Sequence, residues 1–502
     1  MPRVRRWRTA LALTATAALL SGCGFTGGDP GADSLQVAIG IPPRSGWSPA
    51  SDDALILHRL GVTETLTDVG ADGAIRPELA ESWSQVSPLE WRFTLADGVR
   101  FHSGEPVTAQ AAADSINRVL ADPAPPRALR GAVDRAEAVD QRTLLVRSTT
   151  PDPILPLRLS TANAAVLAPA AVLGDGRVDP AKGIGTGPFR VEAADGAQSV
   201  RLVRDDGYRG AAAQLPAADV RFVEDPAARV NGLRSGEFDL IDKVPAGKLA
   251  EISGQDGLRV STVDVPRTTA LHLNTARGPF ADPQVRRAAA LAVDRAGIVD
   301  GVLHGHAVPA ERYFGPTVPY GSKNPPPAAD PDAAERLLAA RPADITLGTY
   351  PDRPDLPAVA AVVADELTRA GFSVRIVQQP ADQLEPRILS GELDAVVYSR
   401  SHLVDVPDAG GYLTSDFSCR GGFNLDHYCD PRLDALIGSL GSTGDSARRA
   451  EIFRQADDLL AAQTVGVPLF HEQQHMGHRD GVRGVPADPL ERELLTEEVS
   501  LG

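Results

Sequence analysis

The chain has 502 residues, 43% of them hydrophobic and 23% charged, with a formal net charge of −16 that includes four positive charges on Arg3, Arg5, Arg6 and Arg8. Without those four arginines the chain stands at −20, and so acidic a body repels nucleic acid and anionic lipid, which excludes both as partners of its surface. An ordinary globular composition over this length exceeds a single core and predicts two or three domains.

The arginines are followed by an apolar run from Thr9 to Leu20 and then by small residues, the order of a secretory signal peptide over residues 1–22. The run is too short for a membrane span, which needs about 20 apolar residues, and no later stretch reaches that length. Leu20-Ser21-Gly22-Cys23 resembles the bacterial lipobox. The resemblance implies cleavage before Cys23, a lipid on its sulfur (palmitate among its acyl chains), and a protein held on the outer face of a membrane by that anchor alone. Residues 23–34, rich in Gly, Asp and Pro, read as a flexible tether. Of three cysteines, Cys419 and Cys429 remain as a pair. In an oxidising space a disulfide closing Arg420 to Tyr428 is expected, and the alternative, a zinc site, has no second cysteine pair to complete it.

In chain order, Leu35, Val37 and Ile39 alternate as a strand. Trp91, Phe93 and Leu95 alternate likewise, and Asp97-Gly98 predicts a hairpin turn into Val99 and Phe101. From Thr108, an N-cap residue, Ala112, Ile116, Val119 and Leu120 take helical spacing. Asp282-Pro283 opens a second helix, with Asp294 starting its continuation to Gly305. Ile345 to Thr349, Ala358 to Ala370 and Val374 to Ile376 spell strand, helix, strand, a βαβ unit with a right-handed crossover. Helices follow at Pro431 to Leu440 and Arg448 to Gln463, then a strand at Val465 to Phe470. The mixture predicts an α/β body of more than one lobe.

His471-Glu472-Gln473-Gln474-His475 spells the zincin pattern H-E-x-x-H, which binds zinc only where a helix brings both histidines onto one face. Here it continues a β-like run containing Pro468, and on a strand the two imidazoles stand about 13 Å apart. Surface-strand histidines are expected, with a secreted zinc hydrolase as the remote alternative. Gly185-Thr186-Gly187 runs into Pro188 without completing G-x-G-x-x-G, and neither a P-loop nor G-x-S-x-G occurs, so no nucleotide cofactor or hydrolase nucleophile is expected. The aspartates Asp405 and Asp408 suit a glycosidase pair or a ligand-amine site, and their spacing alone does not separate the two.

Several long stretches resemble the family 5 extracytoplasmic solute-binding proteins of ABC importers. The fullest is Leu79 to Thr108, LAESWSQVSPLEWRFTLADGVRFHSGEPVT. Others are Gly185 to Phe189 (GTGPF), Leu202 to Gly210 (LVRDDGYRG), Leu233 to Leu240 (LRSGEFDL), Leu273 to Val302 (LNTARGPFADPQVRRAAALAVDRAGIVDGV) and Cys429 to Ile437 (CDPRLDALI).

The resemblance implies a two-lobed, periplasmic-binding-protein-like α/β fold that closes on its ligand, with an extra subdomain in lobe I. On that reading residues 35–55, 181–268 and 471–502 form the lobe I core, 56–180 the extra subdomain and 269–470 lobe II. The strands at Thr269 to Leu273 and Val465 to Phe470 are the expected crossings. The implied function is a non-enzymatic, monomeric receptor that captures oligopeptides or similar small solutes and delivers them to an ABC permease driven by cytoplasmic ATPases.

The family's ligand-amine carboxylate maps to the loop after Ala395 to Tyr398, where Asp405 and Asp408 lie. Arg400 stands where dipeptide-binding relatives place an aromatic and is suited to a ligand carboxylate. Trp47 is expected to wall the lobe I side, and Tyr398, Asn274 and His402 complete the candidate set. The alternative within the family is a nickel or other metal-chelate receptor. It draws on the likeness of Phe314 to Tyr320 and of the helix Ala111 to Leu120 to that branch, with His402 or His427 capping the metal.

Overall fold

The computed structural model describes residues 34–502 except residues 71–72, 175–176, 340 and 342. The signal peptide, the lipobox with Cys23 and nearly all of the tether lie outside the described residues. Among the described residues no helix is long and apolar enough to cross a membrane.

One mixed sheet runs through the molecule. From one edge its strands are Ser373–Gln378, Asp344–Thr349, Ala395–Ser401, Leu258–Leu273, Gly466–Arg479, Leu240–Ile241, Ser34–Ile39, Ala217–Phe222, Ser199–Arg204 and Phe189–Asp195. The first three and the last five belong to different lobes, and the two long antiparallel strands in the middle serve both. Ser34–Ile39 pairs parallel with Ala217–Phe222 and is buried on both faces, as a central parallel strand must be. The βαβ unit is present: Asp344–Thr349 and Ser373–Gln378 pair parallel, joined by the helix Leu356–Arg369.

The long strands cross between the lobes earlier than expected. Leu258 to Asp264 pairs with Arg479 to Gln473 on the lobe I side, the register then breaks, and pairing resumes from Thr268 with His471 on the lobe II side. Val265, Pro266 and Arg267 have no partner on the second long strand, although Arg267 pairs with Ser401 on the other side. Pro266 has no N–H to give to the ladder, which places the break there. The expected crossings at 269–273 and 465–470 are therefore the lobe II halves of longer strands.

A second sheet of four strands, in the order Ala80–Ser87, Glu90–Leu95, Thr143–Ser148 and Val133–Ala138, packs on the helix Ala109–Leu120 and forms the extra subdomain. Thr108 caps that helix as the sequence predicts, its side chain accepting the Ala111 N–H. The hairpin predicted at Asp97-Gly98 is not formed. Glu90–Leu95 already has Ala80–Ser87 on one edge and Thr143–Ser148 on the other, so no edge is left for Val99 and Phe101. Their side chains are buried, and the segment makes one isolated bridge, Arg100 with Pro106. Asp282 and Asp294 cap the helices Pro283–Ala292 and Arg295–Gly301 through the Gln284 and Gly297 N–H groups.

The extra subdomain and much of lobe I share one hydrophobic core, in which Leu35, Phe93, Ile116 and Phe189 are fully buried, whereas lobe II holds two cores around Val397 and Phe314. Val406, from the lobe II loop that carries Asp405 and Asp408, is buried in the lobe I core. That loop therefore docks directly on the extra subdomain.

Candidate functional site

Two cavities adjoin the hinge stretch, where the two long strands do not pair. The smaller encloses about 370 Å³ between Arg127, Arg130 and Arg158 of the extra subdomain and the segment 400–423 of lobe II. The larger, of about 540 Å³, has Gly40, Glu224 and Lys243 on its lobe I wall, Pro351 to Leu356 on its lobe II wall, and Arg267, Phe470 and Glu472 to His475 at its floor. They are neighbours across the hinge: Val265 and Arg267 line the larger, while the carbonyl of Pro266 accepts the N–H of His402, which lines the smaller.

Four of the residues expected at the site, Arg400, His402, Asp405 and Asp408, line the smaller cavity together. Their partners differ. The Asp405 carboxylate is half exposed and stands 3.9 Å from the Arg127 guanidinium, a loose pairing across the lobes. Asp408 is buried, and its oxygens accept from Arg449 Nε at 2.7 Å and Nη2 at 2.6 Å and from the Gly410 N–H. Arg400 grips Asp416 with two nitrogens, at 2.5 and 2.9 Å, and lies over the Phe423 ring. His402 is buried edge-on to Phe314 and beside Tyr412, and neither ring nitrogen has a protein partner. Burial first, and then the charges of His471, Arg267 and Arg400, hold its pKa well below the usual imidazole value, so it is neutral.

The other expected residues lie elsewhere. Trp47 is packed against Phe222 in the lobe I interior, in a left-handed backbone conformation (φ 62°), with its N–H donated to Asp53. The Tyr398 hydroxyl donates to Glu385 and its ring packs against Tyr350 and Phe423. Asn274 donates to the Leu393 carbonyl and ties the end of the long strand to the Gly391 turn, where φ is +75°. His427 is held by the Ile388 carbonyl.

The H-E-x-x-H residues do lie on a strand, but it is not at the surface. Gly466–Arg479 is paired with Leu258–Leu273 along one edge and, at Phe470 to Glu472, with Ala307–Pro309 on the other, and both His471 and His475 are buried. Their Nδ1 atoms bond the hydroxyls of Thr268 and Thr262, and burial holds each at about 4. Glu472 accepts from Thr269 and Ser399 and pairs with Arg353.

Sequence reading missed much of the charge at the hinge. Arg267, in the hinge stretch, pairs with Glu491 from the C-terminal segment at 2.8 Å and with Glu472 at 3.7 Å. Burial alone would raise the Glu491 carboxyl, but the charges of Arg267 and Lys243 outweigh it and hold it at about 2. Arg127 and Arg130 sit in APPRALRG without a motif to mark them. Lys243 carried one usable signal, being one of only four lysines in the chain.

Cys419 and Cys429 are disulfide-bonded, and the loop they close contains Gly422 and Phe423 of the smaller cavity. Replacing both by alanine is expected to lower stability by about 2–3 kcal/mol, the chain-entropy value for a loop of this length. Urea unfolding with and without reductant checks it: the wild type should fall to the variant's midpoint when reduced, and the variant should not respond.

This arrangement, two lobes hinged by a strand pair over interlobe cavities, defines a class of protein that closes on a small solute. Residues 74–424 match the model of bacterial extracellular solute-binding proteins, family 5 (middle region), and the chain belongs to that family. It is 25% identical over 459 residues to the probable D,D-dipeptide-binding periplasmic protein DdpA of Escherichia coli, covering 87% of this chain and 86% of that protein. It is 26% identical over 458 residues to the nickel-binding protein NikA of Staphylococcus aureus, covering 90% and 89%. Among solved structures, a nickel ABC transporter protein from Bacillus halodurans superposes with a TM-score of 0.80 at 26% identity, covering 93% of this chain and all of that one.

Proposed function

We propose that this protein is the receptor of an ABC importer and captures a small peptide or similar dipolar solute between its lobes for delivery to the permease. One observation carries the reading: across the smaller cavity lobe I presents Arg127 and Arg130 while lobe II presents Asp405. A solute with an ammonium for Asp405 and an acceptor oxygen, such as a peptide carbonyl, for Arg127 or Arg130 touches both walls, and contact with both lobes is what favours the closed state. Closure is assigned to the break at Val265–Arg267, with the lobes divided as the sequence reading has them. The peptide-binding and D,D-dipeptide-binding relatives support the peptide class. The receptor is a monomer, and the lipobox supports its anchoring through Cys23 on the outer face of the membrane.

The receptor acts by binding, not by catalysis. Against a zinc hydrolase, the two imidazoles of H-E-x-x-H are held apart on one strand by different threonines. Stoichiometric zinc together with peptide hydrolysis would overturn this. A second reading, capture of a metal chelate, is favoured by the neutral, unpartnered His402 imidazole and by the nickel-binding relatives.

Two measurements test the proposal. Native mass spectrometry of protein purified from its own host should show a bound peptide, and an intact metal chelate instead would replace the first reading by the second. With trialanine as the calorimetric probe, Asp405→Asn is expected to weaken binding about 30- to 150-fold, the equivalent of one charged hydrogen bond. An unchanged affinity removes Asp405 from the site.

A further inference from the structure

The larger cavity has four basic side chains besides its histidines: Arg229, Lys243, Arg267 and Arg353. Three are already engaged. Arg229 donates to the carbonyls of Val223, Asp242 and Lys243. Arg267 and Arg353 are held by Glu491 and Glu472. Among the described residues Lys243 alone of the four has neither a hydrogen bond nor an ion pair for its ammonium, and its backbone is held in the left-handed region at φ 49°. A non-glycine residue kept in that conformation at a cavity wall is costly, and such outliers concentrate at ligand sites.

Beside it stands Gln474. The Val244 N–H donates to the His475 carbonyl, which brings the two segments together, and Gln474 is nine-tenths buried with its Oε1 unpartnered on the cavity wall. On the opposite, lobe II wall, Asp352 and Asp355 make no ion pair. An anion therefore has one place to go in this cavity.

We propose that Lys243 takes an anionic group of the captured solute, with the Gln474 Oε1 beside it accepting an N–H of the same solute, so that the larger cavity selects solutes bearing a carboxylate or comparable oxyanion. This rests on the receptor reading above and does not depend on the solute being a peptide. Desolvation pulls the Lys243 ammonium down to about 8, against the opposing charges of Glu491 and Asp242. An ammonium so poorly solvated gains most from an anion brought into contact.

With four lysines in the chain, reductive ¹³C-dimethylation gives a lysine spectrum simple enough to follow each site, and Lys243→Arg identifies the Lys243 signal. The protein is titrated with sodium acetate against sodium chloride at equal ionic strength, then with trialanine and with trialaninamide. Acetate and trialanine are expected to move the Lys243 signal saturably and to raise its titration midpoint, leaving Lys182, Lys248 and Lys323 in place. Trialaninamide should not do so.

Lys243→Gln is expected to weaken trialanine about tenfold or more, while Lys243→Arg retains most of the affinity. Matched urea midpoints for the two variants exclude loss of folding. A Lys243 signal that answers acetate no more than chloride, or trialanine no more than its amide, overturns the inference. If trialanine binds calorimetrically and the signal stays still, Lys243 is wrong and the receptor stands. If trialanine fails to bind and protein from the host carries no solute, the receptor reading itself fails.

Discussion

Replacing Asp408 by alanine is expected to cost about 3–5 kcal/mol of folding stability, because it leaves the buried Arg449 guanidinium without its carboxylate. The side chains of Asp408 and Arg449 are 7% and 6% exposed, and two charged hydrogen bonds join them. Arg449 would keep the Leu440 and Thr443 carbonyls, which do not neutralise it. The equivalent change at Asp405, half exposed and loosely paired, is expected to move stability by no more than about 0.5 kcal/mol. Urea unfolding of the two variants separates the roles: a structural aspartate and a ligand-facing one, three residues apart. Replacing the Asp408–Arg449 pair by leucine and methionine should recover most of the loss, since an apolar pair removes the stranded charge. Equal midpoints for the Asp405 and Asp408 variants would refute the assignment.

Asp242→Ala is expected to be at least as damaging, again about 3–5 kcal/mol. The Asp242 side chain is fully buried, bonds Arg59 at 3.0 Å, accepts the Gly40 N–H at 2.8 Å, and lies 4.0 Å from Arg229. Its loss strands the buried Arg59 and leaves Arg229 only the more distant charge of Asp225, in a protein whose whole stability is of the order of 5–15 kcal/mol. Because Gly40 and Arg229 line the larger cavity, trialanine binding should fall along with the unfolding midpoint. Asp242→Asn keeps the acceptor for Gly40 and should lose about half as much. An Asp242→Ala midpoint equal to that of the wild type, at an unchanged denaturant slope, would contradict this.

Local pattern carried the elements well and the contacts poorly. Caps such as Thr108, Asp282 and Asp294 were readable because a cap is a bond between residues two or three apart. The hairpin at Asp97-Gly98 misled, because a turn signal does not reveal whether the preceding strand still has a free edge. The histidines of H-E-x-x-H were rightly expected on a strand and wrongly expected at the surface. The strand paired at His471, Ala307–Pro309, comes from more than 150 residues away.

By itself the sequence determined the family and the α/β character, both of which are matters of order along the chain. The tertiary structure alone decided which of the candidate side chains remain available. Arg400 and Asp408 look as free as Asp405 in the sequence, yet Asp416 and Arg449 occupy them. Arg449 lies 41 residues beyond Asp408, and Lys243 is left unpaired because Arg267 takes Glu491 and Arg59 takes Asp242. A charge's availability depends on which opposite charge the fold brings within about 4 Å of it, and spacing along the chain does not encode that.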